Sequence, residues 1–334
     1  MATLYITEQN AIIRKTGDQL VVEKDGEVLL EVPCLKIDSV LVFGNVQFTT
    51  QAAVEMLDHG IEMALLSMNG RLRGQLTPPK AKNVYLRMGQ YDLSRSEEFC
   101  LGFAREVVQA KIESSAAVLR RFRRNHPEAV AIEEVQALDG SAASAAGAAS
   151  IDALRGVEGT AAARYFRLLA ALVPKEFAFD GRNRRPPRDP FNALLSFGYV
   201  LVGAELQALL DAIGYDPYLG FYHRPEYGRP SLALDLLEEF RAPLVDRFSA
   251  KLLNLGTLSA EDFVSSPQGG VYLGQEGKKR YFAAYEAELE EPFAVGEGAE
   301  GGGTSFRRLF RRQAERLAQA IQGEEPYRAF RYPC

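Results

Sequence analysis

The sequence predicts an α+β fold: a small N-terminal β-domain of roll or sandwich type, followed by a larger all-α domain. Two changes of pattern carry that expectation. Up to about residue 80, short β-rich runs are separated by turn signals. From Ser94 onward, apolar residues recur at helical spacing. Composition supports a globular reading. Of 334 residues, 47% are apolar and 25% charged, enough to bury a sizeable core without a disulfide scaffold.

In the β-domain, Asp25-Gly26 lies between Leu20-Val21-Val22 and Val28-Leu29-Leu30, the pattern of a type I′ hairpin. Gly44-Asn45 divides Ser39–Phe43 from Val46-Gln47-Phe48, and Asn69-Gly70 divides Ala64-Leu65-Leu66 from Leu72. A single helix is expected at Gln51 to His59, where Ala53, Met56 and Leu57 form an apolar stripe. Thr77-Pro78-Pro79-Lys80 reads as a stiff connector. The boundaries are then 1–80 for the β-domain, 81–93 for a linker and 94–334 for the helical domain.

Ser94 followed by Glu97 reads as a capping box opening a long helix to Arg124. Ser141 to Ser150, rich in Ala, Ser and Gly, is expected to be a loop. Further helices are expected at 152–172, 189–213, 231–254 and 303–322, with Gly296 to Gly303 as a flexible acidic linker.

Charge and cysteines limit the function classes. The net charge is −5, so a globally basic nucleic-acid coat is excluded, although local basic patches are not. Cys34, Cys100 and Cys334 are scattered and odd in number, which points to a reducing cytoplasm. The N-terminus shows no signal-peptide pattern, and no stretch approaches a membrane span of about 20 apolar residues, so no membrane partner is expected.

Three segments carry candidate chemistry. Of three histidines, His59 and His126 fall at helix ends, whereas His223 lies in Gly220-Phe221-Tyr222-His223-Arg224, just before the helix Ser231–Phe240. On that helix Asp235 and Glu239 are about 40° apart and Asp235 and Glu238 about 60°, so three carboxylates share one side of a leucine-rich helix. Taken alone, the pattern equally suits surface glutamates and a core aspartate. Glu158 sits among small residues in Gly156–Phe166, where a neighbouring helix or ligand can approach closely. Finally, Arg182, Arg184, Arg185 and Arg188 put four arginines in seven positions, ahead of a polar stripe of Asn192, Ser196 and Tyr199 on an apolar helix.

Together GVEGTAAARYF (156–166), FDGRNRRPPRDPFNALLSFGY (179–199) and GYDPYLGFYHRPEYGRPSLALDLLEEFR (214–241) resemble the CRISPR-associated integrase family, the metal-dependent nuclease subunit that inserts new spacers into a CRISPR array. The resemblance covers nearly the whole chain. It implies that Glu158, His223 and Glu238 bind one divalent metal and carry catalysis. Asp235, Asn192 and Ser196 are then supporting residues, and the choice between Asp235 and Glu238 as direct ligand is left open. Two carboxylates and an imidazole, without thiolates, suit Mg²⁺ or Mn²⁺.

The implied activity is endonucleolytic cleavage of DNA and transesterification, joining short duplexes to a CRISPR leader-repeat. Arg182, Arg184, Arg185 and Arg188 are expected to contact DNA phosphate. Implied partners are double-stranded DNA, a second copy of the chain through the β-domain, a small ferredoxin-like protein, and a fused or separate additional nuclease. The competing readings are a catalytically silent DNA-binding scaffold of the same fold and an unrelated metal-dependent hydrolase of small phosphoesters.

Overall fold

A computed structural model describes residues 3–68, 70, 72–77, 83–177, 179–267, 269–294 and 303–333. Asn69, the Pro78–Lys80 part of the expected connector and most of the 296–303 linker lie outside the described residues. The chain divides into two compact units. One comprises Met1–Lys80 with Leu273–Glu286, and the other Ala81–Tyr272 with Ala287–Cys334.

Among the described residues, the N-terminal unit holds eight strands: β1 (Thr3–Ile6), β2 (Ile12–Thr16), β3 (Gln19–Lys24), β4 (Glu27–Pro33), β5 (Ser39–Phe43), β6 (Gln47–Phe48), β7 (Glu62–Leu66) and β8 (Leu72–Leu76). Helix α1 (Thr50–Asp58) comes between β6 and β7. The strands form two four-stranded sheets, ordered β1-β5-β7-β8 and β4-β3-β2-β6. Their shared core is aliphatic and includes Ile13, Leu20, Val40, Val42, Met56 and Ile61.

The Asp25-Gly26 hairpin forms as expected, with φ of 52° and 84° at its two central residues. Gly44-Asn45 turns the chain without making a hairpin. β5 pairs in parallel with β1 and β7, while β6 pairs in parallel with β2 in the other sheet. Gly44 is obligatory there, since its φ is +79° and a Cβ would lie 2.4 Å from Met68 Sδ. Strand β4 is an edge, and Val28, Leu29 and Leu30 on it are exposed.

The second unit is helical. Its elements are α2 (Val84–Leu93), α3 (Glu97–Asn125), α4 (Ile132–Ala146), α5 (Ile151–Leu169), α6 (Pro190–Ile213), α7 (Ser231–Leu237) and α8 (Arg247–Asn254). The two-stranded ribbon β9 (Phe263–Ser265) and β10 (Val271–Leu273) precedes α9 (Gln275–Glu290) and α10 (Phe306–Gln322). Helix α3 is central and packs on both α4 and α5.

Several expectations need correction. The supposed linker 81–93 is helical from Val84, because Asn83 Oδ1 caps Leu86 N at 3.2 Å and buried Gln90 donates to the Asp216 and Leu219 carbonyls at 2.8 Å. Ser94 therefore ends α2, and Ser96 is the N-cap of α3. Ser141–Ala146 is helix rather than loop, since its alanines favour helix and Ala142 and Ala145 are buried. Leu273–Glu286 clusters with the N-terminal unit, so the helical domain is not one uninterrupted span.

Helix α6 is long and apolar enough to cross a membrane, contrary to expectation, but 67% of its most apolar window is buried inside the protein. It is the core helix of this unit. Its start is fixed by Asp189, whose Oδ1 accepts from Asn192 N, and by Pro190 at its first turn.

The expected helix 231–254 is interrupted. Arg241–Asp246 widens into a π turn around Pro243, and Val245 N donates to Phe240 O, five residues back, at 3.3 Å.

Candidate active site

A cleft of about 760 Å³ in the helical unit gathers residues from most of its long helices. Its wall includes Lys111 of α3, Glu158 and Tyr165 of α5, Arg184 and Arg185 of the arginine loop, and Tyr199 of α6. His223, Glu238, Arg241 and Asp246 complete it. The sequence candidates Glu158, His223 and Glu238 thus share one cavity, although 80 residues separate the first from the last.

Asp235 organises this site from below. It is fully buried, and its carboxylate accepts three backbone N–H groups: Phe221 at 2.7 Å, Tyr222 at 3.0 Å and His223 at 2.8 Å. His223 Nδ1 lies 2.7 Å from Asp235 Oδ1. A carboxylate serving these donors fixes the proton on Nδ1, so Nε2 is the free nitrogen and lies 3.9 Å from Glu238 Oε1. The loop can approach so closely because residue 220 is glycine. A Cβ there would sit 2.7 Å from Asp235 Oδ2.

Glu238 and Glu239 are buried, so neither is a surface charge. Arg241 Nε lies 3.0 Å from Glu238 Oε1 and Lys111 Nζ 2.7 Å from Oε2. Burial opposes the charge on Glu238, but Arg241 and Lys111 hold its carboxyl well below the ordinary range. Glu239 turns away from the cleft to accept from Tyr327 OH, from Gln313 Nε2 at 2.8 Å and from Phe330 N at 2.6 Å. It has no cationic partner among these, and burial raises its carboxyl to about 7.

Glu158 receives Tyr222 OH on one oxygen and Lys111 Nζ on the other. Burial pulls the Lys111 ammonium down, but Glu238 and Glu158 outweigh it and raise the pKa. Neither Lys111, Tyr222 nor Arg241 was singled out from sequence. Tyr222 and Arg241 lie inside the 214–241 motif, whereas Lys111 carried a weaker signal, a lone cation between Ala110 and Ile112 in the middle of an apolar helix.

Asn192 and Ser196 do not line the cleft. They brace the arginine loop: Asn192 Oδ1 accepts from Arg182 NH1 at 2.8 Å and Asn183 N at 3.0 Å, and Arg182 NH2 reaches Ser196 Oγ at 3.2 Å. Arg182 also lies 5.5 Å from the Tyr199 ring centroid. Its guanidinium is therefore engaged within the protein, while Arg184, Arg185 and Arg188 are exposed. Other basic runs are partly spent as well, since Arg120 pairs with Asp139 and Arg123 donates to the Val130 carbonyl at 2.9 Å.

The residues fit a hard divalent ion. Two carboxylates and an oriented imidazole converge without a thiolate, and buried Glu238 Oε2 has no aligned hydrogen bond despite its ion pair. Lys111 sits between the two glutamates. Among the described residues, the donor group closed to within 4.8 Å is instead Cys34, Glu55 and His59 in the N-terminal unit, where Glu55 is already paired with Lys15.

Comparison with known proteins bears on the chain as a whole. The family model described as CRISPR associated protein Cas1 matches residues 4–287. A CRISPR-associated endonuclease Cas1 of Rhodospirillum rubrum is 37% identical over 96% of this chain and 95% of its own length. A Cas4 exonuclease/Cas1 endonuclease fusion of Geobacter sulfurreducens is 37% identical over 97% of this chain, which spans only 59% of the fusion. A casposase bound to its integration product superposes with a TM-score of 0.85 at 24% identity, covering 100% of this chain and 94% of that one, and so shares its fold. With a family match over most of its length, this chain belongs to the Cas1 family of CRISPR-associated proteins.

Proposed function

We propose that this protein is a divalent-metal-dependent DNA endonuclease and integrase that joins short duplexes to a CRISPR leader-repeat. The observation that carries the reading is the convergence of Glu158, Glu238 and the Asp235-oriented His223 on one cleft with exposed arginines at its edge. Glu158, the Nε2 of His223 and Glu238 would hold Mg²⁺ or Mn²⁺. Such an ion supplies polarisation of the phosphodiester and neutralises charge on the departing 3′-oxygen.

The remaining work falls to the protein's own groups. Asp235 keeps the proton on His223 Nδ1 and leaves Nε2 directed at the ligand position. With its four acceptor positions taken by three backbone N–H groups and His223, Asp235 serves as an organiser and Glu238 as the direct ligand. Arg184 and Arg185 position a DNA strand through its phosphates without reading sequence. A DNA 3′-hydroxyl then attacks phosphorus and gives up its proton to solvent, a new P–O bond forms as the scissile P–O3′ bond breaks, and the displaced strand takes up a proton from solvent and leaves with its own 3′-hydroxyl. Positioning and charge stabilisation supply most of the rate in such reactions.

Two further assignments belong to this reading. The exposed apolar edge of β4 supports a homodimer formed through the N-terminal unit. The Geobacter fusion supports an additional nuclease as a working partner, and the family resemblance adds a small ferredoxin-like protein, all acting in the cytoplasm.

The test is a metal-dependent assay joining a short duplex to a plasmid that carries a CRISPR leader and repeat. Glu158→Ala, His223→Ala and Glu238→Gln should each abolish joining. DNA binding without any metal-dependent joining by the intact chain would make it a scaffold.

A further inference from the structure

We propose that Lys111 is the resident counter-cation of the metal site: it holds Glu158 and Glu238 together in the metal-free protein and is displaced into the cleft when a divalent ion binds. The inference rests on the metal-site reading above.

The geometry is specific. Lys111 Nζ contacts Glu158 Oε1 and lies 2.7 Å from Glu238 Oε2, so one ammonium bridges a carboxylate on α5 and one at the C-terminal end of α7. Without a cation between them, the half-buried Glu158 and buried Glu238 carboxylates would repel across a partly desolvated gap. An ammonium keeps oxygens at hydrogen-bond distance, whereas Mg²⁺ draws them to about 2.1 Å. The carboxylates therefore have room to close once the ammonium leaves. This explains why Glu158, His223 and Glu238 are not drawn into a tight cluster here, although they line one wall.

Charge balance points the same way. The negative charges of Glu158 and Glu238 are matched by those of Lys111 and Arg241. A divalent ion binding the same two carboxylates would crowd against both cations, which already sit on their oxygens. One of them has to yield. Arg241 is pinned, with its guanidinium 4.4 Å from the Tyr199 ring centroid as well as paired with Glu238. Lys111 has a flexible four-carbon stem, and its side chain remains 18% exposed to the cleft, which gives it a way out. Once released, its ammonium faces the volume where a DNA phosphate would lie.

The probe is Mn²⁺ alone, titrated by calorimetry into the metal-free full-length chain without DNA. Lys111→Met should bind Mn²⁺ at least tenfold more tightly than wild type, because the competing cation is gone. Equal or weaker binding would overturn the proposal. A measurement on the wild type guards against misfolding of the variant. Acetic anhydride labelling followed by mass spectrometry should find Lys111 protected without metal and labelled severalfold faster with saturating Mn²⁺. Lys251, paired with Glu288, is the unchanged internal reference.

Labelling of Lys111 that ignores Mn²⁺, in a protein whose Mn²⁺ binding is lost on Glu158→Gln, would refute displacement and leave the metal site standing. If Glu158→Gln leaves Mn²⁺ binding intact, the metal-site reading itself fails.

Discussion

Replacing Asp235 with alanine separates its role from that of Glu238. The substitution strips the acceptor from three buried backbone donors, on Phe221, Tyr222 and His223. Each orphaned N–H costs about 1–3 kcal/mol, and because local relaxation recovers part of this, about 4 kcal/mol is expected for the three together. If that loss falls on local opening of the loop, amide exchange at 221–223 should accelerate about a thousandfold, readable by hydrogen–deuterium exchange mass spectrometry. Mn²⁺ affinity should fall about 10- to 100-fold as His223 loses its orientation. Glu238→Gln should show the opposite profile, with Mn²⁺ binding lost and those three amides still protected. Unchanged protection in Asp235→Ala would refute the assignment of Asp235 as the loop's organiser.

Other substitutions test neighbouring features. Replacing Arg184 and Arg185 with alanine should reduce the salt slope of DNA binding by about one to two units with little change in melting temperature. Arg182→Ala should lower the melting temperature instead, because it removes contacts to Asn192, Ser196 and Tyr199; titrations and thermal melts of both variants decide this. Glu239, raised to about 7 from an ordinary 4.5, holds its proton longer in the folded state. Its contribution to stability is therefore full below about pH 4.5 and lost as pH rises through about 7, so Glu239→Gln should flatten that part of the melting-temperature profile. Gly220→Ala would place a methyl 2.7 Å from Asp235 Oδ2 and 2.9 Å from the His223 carbonyl oxygen, and should abolish Mn²⁺ binding by calorimetry.

Local chemistry made the two-part architecture legible. Asp25-Gly26 states its own hairpin, and Asp189-Pro190 states its own helix start. Residues that act through distant partners were harder to read. Gln90 makes sense of α2 only once its amide meets carbonyls 126 and 129 residues away. The three motifs named the carboxylates and the imidazole because those residues lie in dense, unusual strings. Lys111 lies in no such string, and its meaning comes from helices brought beside it by folding. Arg182 shows the converse, since a charge run does not reveal which member turns inward.

The π turn at Arg241–Asp246 has an evolutionary consequence. It holds one surplus residue in the helical path between α7 and α8. Deleting that residue would return the turn to ordinary helical spacing and leave the downstream face where it is, whereas deleting one within α8 would rotate the rest of that helix by about 100°. Lys251 keeps its place on Glu288, and Leu252 stays buried, in the first case only. Changes of length in lineages that keep this architecture should therefore collect at the π turn and be absent from the regular helix after it.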